Sequence, residues 1–229
     1  MSYELIIGNK KYSSWSLRPW LLMRAFGLAF TETRIPFDTP EFAVEIGSRK
    51  RSPNARVPVL VDGETIVWDS LAIAEYLAER HLGLWPADPL ARAHARCACA
   101  EMHSGFPALR TWMPMCVHRR YPIAAPRTDV AADVARVSAL WTEARERFGG
   151  RAPDGEPWLY GAFSVADAYY APVVFRFQTY GVLLGGSAGE WMRAMLAHPA
   201  MLEWSAGAAA ETEVVPHDEP EYLYGETRS

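Results

Sequence analysis

The chain holds 229 residues, half of them apolar and 22% charged, with a formal net charge of -4. Such a balance suits one large or two small packed domains and excludes a disordered chain. No apolar run approaches the roughly 20 residues of a membrane helix, and no basic-then-apolar leader opens the sequence, so neither a membrane nor secretion is expected. The acidic balance argues against a broad nucleic-acid surface. Three cysteines, Cys97, Cys99 and Cys116, form an odd set with no CxxC and no zinc-ligand spacing. They predict free thiols in a reducing, cytoplasmic setting, and no metal.

In chain order, residues 3–7 are a short β-prone run closed by Gly8-Asn9. Residues 17–26 read as a helix with Ser16 as its N-cap, Pro19 in its first turn and Gly27 as its stop. Residues 31–35 are a second strand, and strand, helix, strand at this spacing predicts a parallel βαβ unit. A less regular stretch follows, 37–55, holding the basic run Arg49-Lys50-Arg51. Residues 57–61 and 65–68 flank Asp62-Gly63, a hairpin signal, and Asp69-Ser70 cap a helix over 71–81. The order is β-α-β-(α)-β-β-α.

Beyond it the chain changes character. Residues 83–89, with two prolines and a glycine, read as a linker. No strand is expected after that, and helices are predicted over 90–118, 128–148, 165–180, 189–197 and 200–210. Turns fall at Pro122, Pro126, Gly149-Gly150, Pro153, Gly155, Gly181, Gly185-Gly186 and Pro199. Ser164-Val165-Ala166-Asp167 has the form of a capping box with Asp in place of Glu. From residue 211 onward six acids meet one base, a net of -5 that leaves the rest of the chain near +1. That tail is expected to be solvated, with no role. The domains are therefore expected at 1–82 and 90–210, joined by the linker 83–89 and followed by the tail 211–229.

A small α/β domain, a proline-containing linker and an all-α domain together resemble the cytosolic glutathione S-transferases. Four matches in family order carry the likeness, which runs from Tyr3 to about residue 210. Ser13-Ser14-Trp15-Ser16-Leu17-Arg18 is similar to the SSCSxR motif of the zeta class, which includes maleylacetoacetate isomerases. Val57-Pro58-Val59-Leu60 is similar to the family's VPxL with its cis-proline. Asp69-Ser70-Leu71-Ala72-Ile73 resembles the segment that holds the γ-glutamyl end of glutathione, and Ser164-Val165-Ala166-Asp167 resembles the S-x-A-D helix start. The resemblance implies a thioredoxin-like N-terminal domain, an all-helical C-terminal domain, glutathione as co-substrate without a metal, a small electrophile as second substrate, and a homodimer.

The chemistry of each match can be read from its residues. Glutathione is an anionic, extended tripeptide whose thiol pKa lies near 8.5, and using it at neutral pH means favouring the thiolate by roughly two units, about 2.7 kcal/mol. A serine hydroxyl and the free N–H groups of a helix start supply such donors. Ser13 and Ser14 sit there, although either also suits an ordinary cap or turn. The resemblance implies Ser13 as the main thiol contact and Ser14 as a nearby donor. A cis Val57-Pro58 bond would leave Val57's peptide groups free to pair with the tripeptide, while an edge-strand proline reads equally well. Asp69 and Ser70 combine a carboxylate, a hydroxyl and helix-start N–H groups for an amino acid's two charged ends; a plain N-cap is the alternative. Arg56, and less directly Arg49 or Arg51, is placed to meet the tripeptide's other carboxylate.

Two departures from the zeta pattern bear on the substrate. Trp15 stands where those proteins have cysteine, and Thr179 stands near the position of an arginine on the S-x-A-D helix, with Arg176 one turn earlier. On the first long helix His103, Phe106, Arg110 and Met113 are spaced to share a face, flanked by Met102, Trp112 and Met115, with Pro107 as a kink. His103 and Arg110 from that face, with Trp15 and Arg176, are the expected second-substrate residues. A domain interface would account for them equally. Conjugation to an electrophile and isomerisation of the maleylacetoacetate type share one thiolate and are poorly separated. A non-catalytic binding protein on the same fold is the reading from another class. A glutaredoxin-like exchanger is excluded, because no cysteine stands at the first helix start.

Overall fold

The two faces of the first strand serve two cores. In β1 (Tyr3–Ile7), Leu5 and Ile7 enter the main core, while Ile6 meets Ile35, Ile46 and Val59 in a smaller one. A strand buried on both faces needs a continuous apolar run, which Leu5-Ile6-Ile7 supplies. The computed structural model describes residues 3–149 and 156–225. The predicted turn residues Gly150, Pro153 and Gly155, and the tail residues Glu226 and Arg228, lie outside them.

After β1 come α1 (Ser14–Ala25) and β2 (Phe30–Arg34), which pairs in parallel with β1, Leu5 opposite Glu32. A short α2 (Pro40–Phe42) runs into a π-helical turn (Ala43–Gly47). Then β3 (Val59–Asp62) and β4 (Thr65–Trp68) form the hairpin, and β3 lies antiparallel to β1 with Leu60 opposite Leu5. The strand order is β2-β1-β3-β4. Asp62 pairs with Thr65, so the turn's central residues are Gly63-Glu64 rather than Asp62-Gly63. Gly63 has φ +59°, which places it at the first central position of a type II′ turn.

The first helix begins earlier than its sequence pattern suggests. Ser13, not Ser16, is the N-cap: its hydroxyl accepts from the Ser16 N–H, and helical geometry starts at Ser14. Pro19 therefore lies in the second turn, where it withholds a donor from the Trp15 carbonyl. Gly27, at φ +64°, ends the helix as expected.

A helix α3 (Ser70–Ala78) completes the α/β half. The helical half comprises α4 (Pro89–Ser104), α5 (Pro107–Trp112), α6 (Thr128–Phe148), α7 (Val165–Tyr180), α8 (Gly186–Ala197) and α9 (Pro199–Ala210). The expected single helix over 90–118 is two helices. Phe106 adopts φ +60°, Pro107 starts a new helix, and the chain leaves helical form after Trp112. The face proposed for His103, Phe106, Arg110 and Met113 consequently does not exist. A 3₁₀ turn (Pro216–Asp218) and α10 (Pro220–Tyr224) follow α9. Among the described residues, no helix is long and apolar enough to cross a membrane.

α1 packs against α7 and α9, so one apolar core runs through both halves and fixes the start of α1 relative to the helical half. The start of α7 is pinned in turn. Asp167, fully buried, accepts from the Ser164 N–H (2.9 Å) and hydroxyl (3.1 Å), the Leu159 N–H (3.0 Å) and the Trp191 indole (2.7 Å). This is the predicted capping box, with a buried carboxylate at its centre.

The acidic tail is docked rather than solvated. Glu211 accepts from the Lys10 and Lys11 N–H groups (2.6 and 3.1 Å), and Glu213 pairs with Arg34 (3.0 Å). Glu219 accepts from the Tyr12 hydroxyl (2.5 Å). The basic partners lie on β2, on the loop after β1 and, for Glu219 and Glu221, at His118 and Arg119, between about one hundred and two hundred residues away in sequence, where local charge patterning gives no sign of them.

Candidate active site

Two adjoining clefts open between the halves, of about 390 and 430 Å³, and Trp15, Arg56 and Val57 line both. Ser13 and Ser14 lie at the first, together with Tyr12, Arg110, Met115, Arg176 and Asp218. The second is bounded by Asn54, Pro58, Asp69, Ser70, His103 and Ser104. Another cavity of about 420 Å³ lies between the linker and residues 156–164. Of the predicted motifs it touches only Ser164, whose hydroxyl already caps α7.

The two serines are committed differently. Ser13 Oγ accepts from the Ser16 N–H and donates to Ser16 Oγ (2.7 Å), which itself accepts from the Gly8 N–H (3.2 Å). Both hydroxyl roles of Ser13 are thus spent inside the turn. Ser14 Oγ accepts from Arg176 Nη2 (3.3 Å), which leaves its O–H to donate. Ser14 is also the first helical residue, at the positive end of the α1 dipole, with its own N–H donated to the Tyr12 carbonyl (2.8 Å).

Three guanidinium groups surround this point. Arg18, fully buried, lies between the Trp15 and Tyr169 rings (4.1 and 4.2 Å to the centroids), and none of its nitrogens meets hydrogen-bond geometry with a described residue. Arg110 sits over the Trp15 ring at 4.8 Å, and donates to the Gly105 carbonyl. Buried Arg176 donates to the Met113 carbonyl as well as to Ser14. Burial, and then Arg18's charge, bring Arg110 down to about 10; burial, and then Arg110, bring Arg176 down to about 9. Arg110 and Arg176 both stay cationic at neutral pH and line the first cleft with Asp218, its one carboxylate, whose charge interacts with Arg176. Burial pushes the Asp218 carboxyl upward.

At the far end, Asp69 caps α3. Its Oδ1 accepts from the Leu71 N–H (2.8 Å), and its backbone holds φ +77°, a strained value for a non-glycine residue. Its Oδ2 lies 3.4 Å from His103 Nε2, His103 Nδ1 lies 2.7 Å from the Tyr169 hydroxyl, and that hydroxyl lies 3.1 Å from Ser70 Oγ. The Val57-Pro58 bond is cis, and no hydrogen bond among the described residues takes up Val57's peptide groups.

The structure thus gathers Ser13, Ser14, Trp15, Arg56, Val57, Pro58, Asp69, Ser70, His103, Arg110 and Arg176 around one continuous opening. Arg51 is committed elsewhere, to Glu4 at 2.7 Å, and Arg49 lines neither cleft. Thr179 bonds to the Cys116 carbonyl (2.8 Å) and does not reach the clefts, whereas Arg176 does. Sequence reading missed Tyr12, Tyr169 and Asp218. Tyr12 adjoins the serine motif and could have been found there; Asp218 lies in the tail and gives no local signal.

Two family models match, "Glutathione S-transferase, N-terminal domain" over residues 12–80 and "Glutathione S-transferase, C-terminal domain" over 127–207. A "Stringent starvation protein A homolog" of Pasteurella multocida (strain Pm70) is 30% identical over 151 residues, which is 64% of each chain. The match therefore spans just under two thirds of that relative's length. A "Probable maleylacetoacetate isomerase" of Caenorhabditis elegans is 43% identical over 60 residues, covering 25% of this chain and 28% of the other. Among solved structures, a glutathione transferase homologue from Burkholderia GL BGR1 with bound glutathione has a TM-score of 0.62 at 21% identity, covering 92% of this chain and all of its own. A diazinon-metabolizing glutathione S-transferase of the silkworm Bombyx mori has a TM-score of 0.69 at 15% identity, covering 91% and 98%.

Proposed function

The chain belongs to the glutathione S-transferase family, and from that premise we propose that it binds glutathione along the two clefts and activates its thiol at Ser14. The γ-glutamyl end lies against Asp69 and Ser70, the extended backbone pairs with Val57 beside Pro58, Arg56 meets the remaining carboxylate, and the sulfur reaches the start of α1. The single observation that carries this reading is Ser14 itself, a hydroxyl held by Arg176 at a helix start and free to donate. A donated hydrogen bond, the helix dipole and three nearby guanidinium groups all favour thiolate over thiol. In this reading Ser13 orders the turn instead of touching sulfur.

The first cleft then receives the electrophile beside Trp15, Arg110 and Arg176. In conjugation the thiolate sulfur bonds to an electrophilic carbon and an electron pair leaves with the departing group. In the isomerase variant no group departs: the sulfur adds to a conjugated C=C and the pair rests on the conjugated carbonyl oxygen. After rotation it returns to re-form the double bond as the S–C bond breaks and the thiolate leaves. Unpaired cysteines suit a reducing cytoplasm. The domains are taken as 1–82 and 90–210, the second supplying His103, Arg110 and Arg176.

A second reading, a non-catalytic binding protein on this fold, is favoured by the relatives that match about two thirds of the chain, which are named stringent starvation protein A homologues. One pair of measurements separates the two. Calorimetric titration with glutathione is expected to saturate between micromolar and millimolar concentration. Turnover with glutathione is then screened against aryl halides, epoxides, peroxides and maleylacetone. Saturable binding with turnover supports the transferase; saturable binding without any turnover, or no heat at several millimolar, rejects it and selects the non-catalytic binding or interaction protein.

A homodimer across α3 and α4 is also proposed. Charges that such an axis would bring together include Glu75 and Glu101, which in this chain pair with Arg96 (3.1 Å) and Arg136 (2.7 Å). Those partners would have to be shared or exchanged at an isologous contact.

A further inference from the structure

One cluster of ligand-type side chains plays no part in the chemistry above. Cys116 and His118 lie in the non-helical stretch after α5, and Glu219 immediately precedes α10. Cys116 Sγ is 3.6 Å from His118 Nδ1 and 3.7 Å from Glu219 Oε2, and His118 Nε2 is 3.1 Å from Glu219 Oε1. A thiol, an imidazole and a carboxylate each offer a donor atom within 4.8 Å of the other two. We propose that Cys116, His118 and Glu219 form a binding site for a thiophilic divalent cation of the Zn²⁺ class, with Tyr12 or a water in the fourth position.

The spacing carries the argument. Zinc bonds of about 2.3 Å to sulfur and about 2.0–2.2 Å to nitrogen or oxygen, held tetrahedrally, set neighbouring donors about 3.5–3.6 Å apart. The two distances from Cys116 Sγ stand within about 0.2 Å of that. Glu219 faces the other imidazole nitrogen, Nε2, so its carboxylate or the His118 ring must turn for one ion to meet all three donors, which lie within 4.8 Å of one another. The frame of the site is fixed. The Val117 N–H donates to the Lys11 carbonyl (3.1 Å), and the Cys116 carbonyl accepts from Thr179 (2.8 Å). Tyr12 OH stands 2.5 Å from Glu219 Oε1, next to the open side of the set. Mixed S, N and O donors select a borderline cation over Ca²⁺ or Mg²⁺, which take oxygen alone.

Two features oppose the ion, and both can yield. The Arg119 guanidinium lies 3.3 Å from Glu219 Oε2, but Arg119 is half-exposed and also pairs with Glu221, so it can withdraw to that carboxylate. Cys116 is buried as a thiol; as the sulfur–metal bond forms, its S–H bond breaks and the proton passes to water. The spacing C-x-H with a third ligand 101 residues beyond His118 matches no zinc motif, which is why the sequence pointed to no metal.

The test uses the full chain, stripped with a chelator, held under a phosphine reductant and titrated with Co²⁺. Expected are one equivalent bound with a thiolate-to-cobalt absorption in the near ultraviolet and a tetrahedral d–d band in the visible, both abolished by Zn²⁺. Cys116→Ser should remove the near-ultraviolet band, while Cys97→Ser, which alters the exposed thiol, should keep it. Should Cys116→Ser fail to fold, Glu219→Gln and His118→Ala serve instead, each weakening Co²⁺ binding more than about tenfold. No thiolate band in the intact chain, a band that follows Cys97, or affinity unchanged in the Glu219 and His118 variants would each overturn the site. None of these readouts involves glutathione, so the outcome is independent of the proposed activity.

Discussion

Removing each serine hydroxyl in turn separates the roles assigned at the start of α1. In Ser13→Ala the helix loses its N-cap acceptor, and Ser16 Oγ loses the donor 2.7 Å away. Loss of a serine cap costs about 0.5–2 kcal/mol. With the second bond included, the expected loss is about 2 kcal/mol, or about 4–8 °C in Tm for a chain of this length. In Ser14→Ala no cap is lost. Arg176 gives up one acceptor at 3.3 Å and keeps the Met113 carbonyl, so stability should fall by less than about 1 kcal/mol. Activity should follow the opposite order. A hydrogen bond to a charged group contributes about 1.5–3 kcal/mol, so Ser14→Ala should slow turnover at neutral pH about 10- to 150-fold. The apparent thiol pKa in the pH–rate profile should rise with it, while glutathione affinity changes little. The assay is calorimetric melting beside pH-dependent initial rates with whichever electrophile proves active. A Ser14→Ala protein with full rate and an unmoved profile, beside a Ser13→Ala protein that melts normally and loses both, would refute the assignment.

Asp69→Asn keeps a cap acceptor for the Leu71 N–H but removes the charge, so glutathione affinity should drop at least about tenfold with Tm nearly unchanged; isothermal titration decides it. Asp167→Ala strands the Leu159 and Ser164 N–H groups and the Trp191 indole in the core, and should cost more than about 3 kcal/mol by denaturant unfolding, with Asp167→Asn markedly milder. Glu4 is pushed up by burial, but bonds from Thr33 and Arg51 outweigh this and hold its carboxyl below the usual range. A depressed folded pKa stabilises above the unfolded value of about 4.3 and is lost as pH falls below it, so Glu4→Gln should destabilise at pH 7 and converge with the parent in strong acid. Sedimentation should show a dimer; a species near the chain mass of 25.6 kDa at every concentration counts against it.

What could be read in advance was local. The hairpin, the long helices over 128–148 and 165–180 and the capping box at Ser164 follow from signals within a few residues, and each is present. The break at Gly105-Phe106 was hidden because apolar spacing continues across it, so a 3.6-residue pattern cannot reveal a left-handed residue between two helices. The start of α1 was misplaced by three residues because three nearby serines could all cap, and the choice among them is made by the Gly8 N–H, which anchors Ser16. Within the site, Ser13, Ser14, Val57 and Asp69 stood out as motif residues. Arg18's stacking, the link from Asp69 through His103 and Tyr169 to Ser70, and the docked tail depend on chain segments up to two hundred residues apart.

Trp15 forms the partition that both clefts share, with Arg18 and Arg110 against its ring and His103 meeting its edge at 5.3 Å. It is the one tryptophan among the described residues that lines either cleft. The indole is therefore a built-in optical probe. Anything that fills either side displaces water from its edge and alters the polarity its excited dipole senses, so its emission should shift in wavelength and intensity on occupancy. A Trp15→Phe difference spectrum isolates that signal from the other eight indoles. Arrivals in the two clefts can then be timed in a stopped-flow instrument without a label, and the order in which two reactants enter becomes an observable of the native chain.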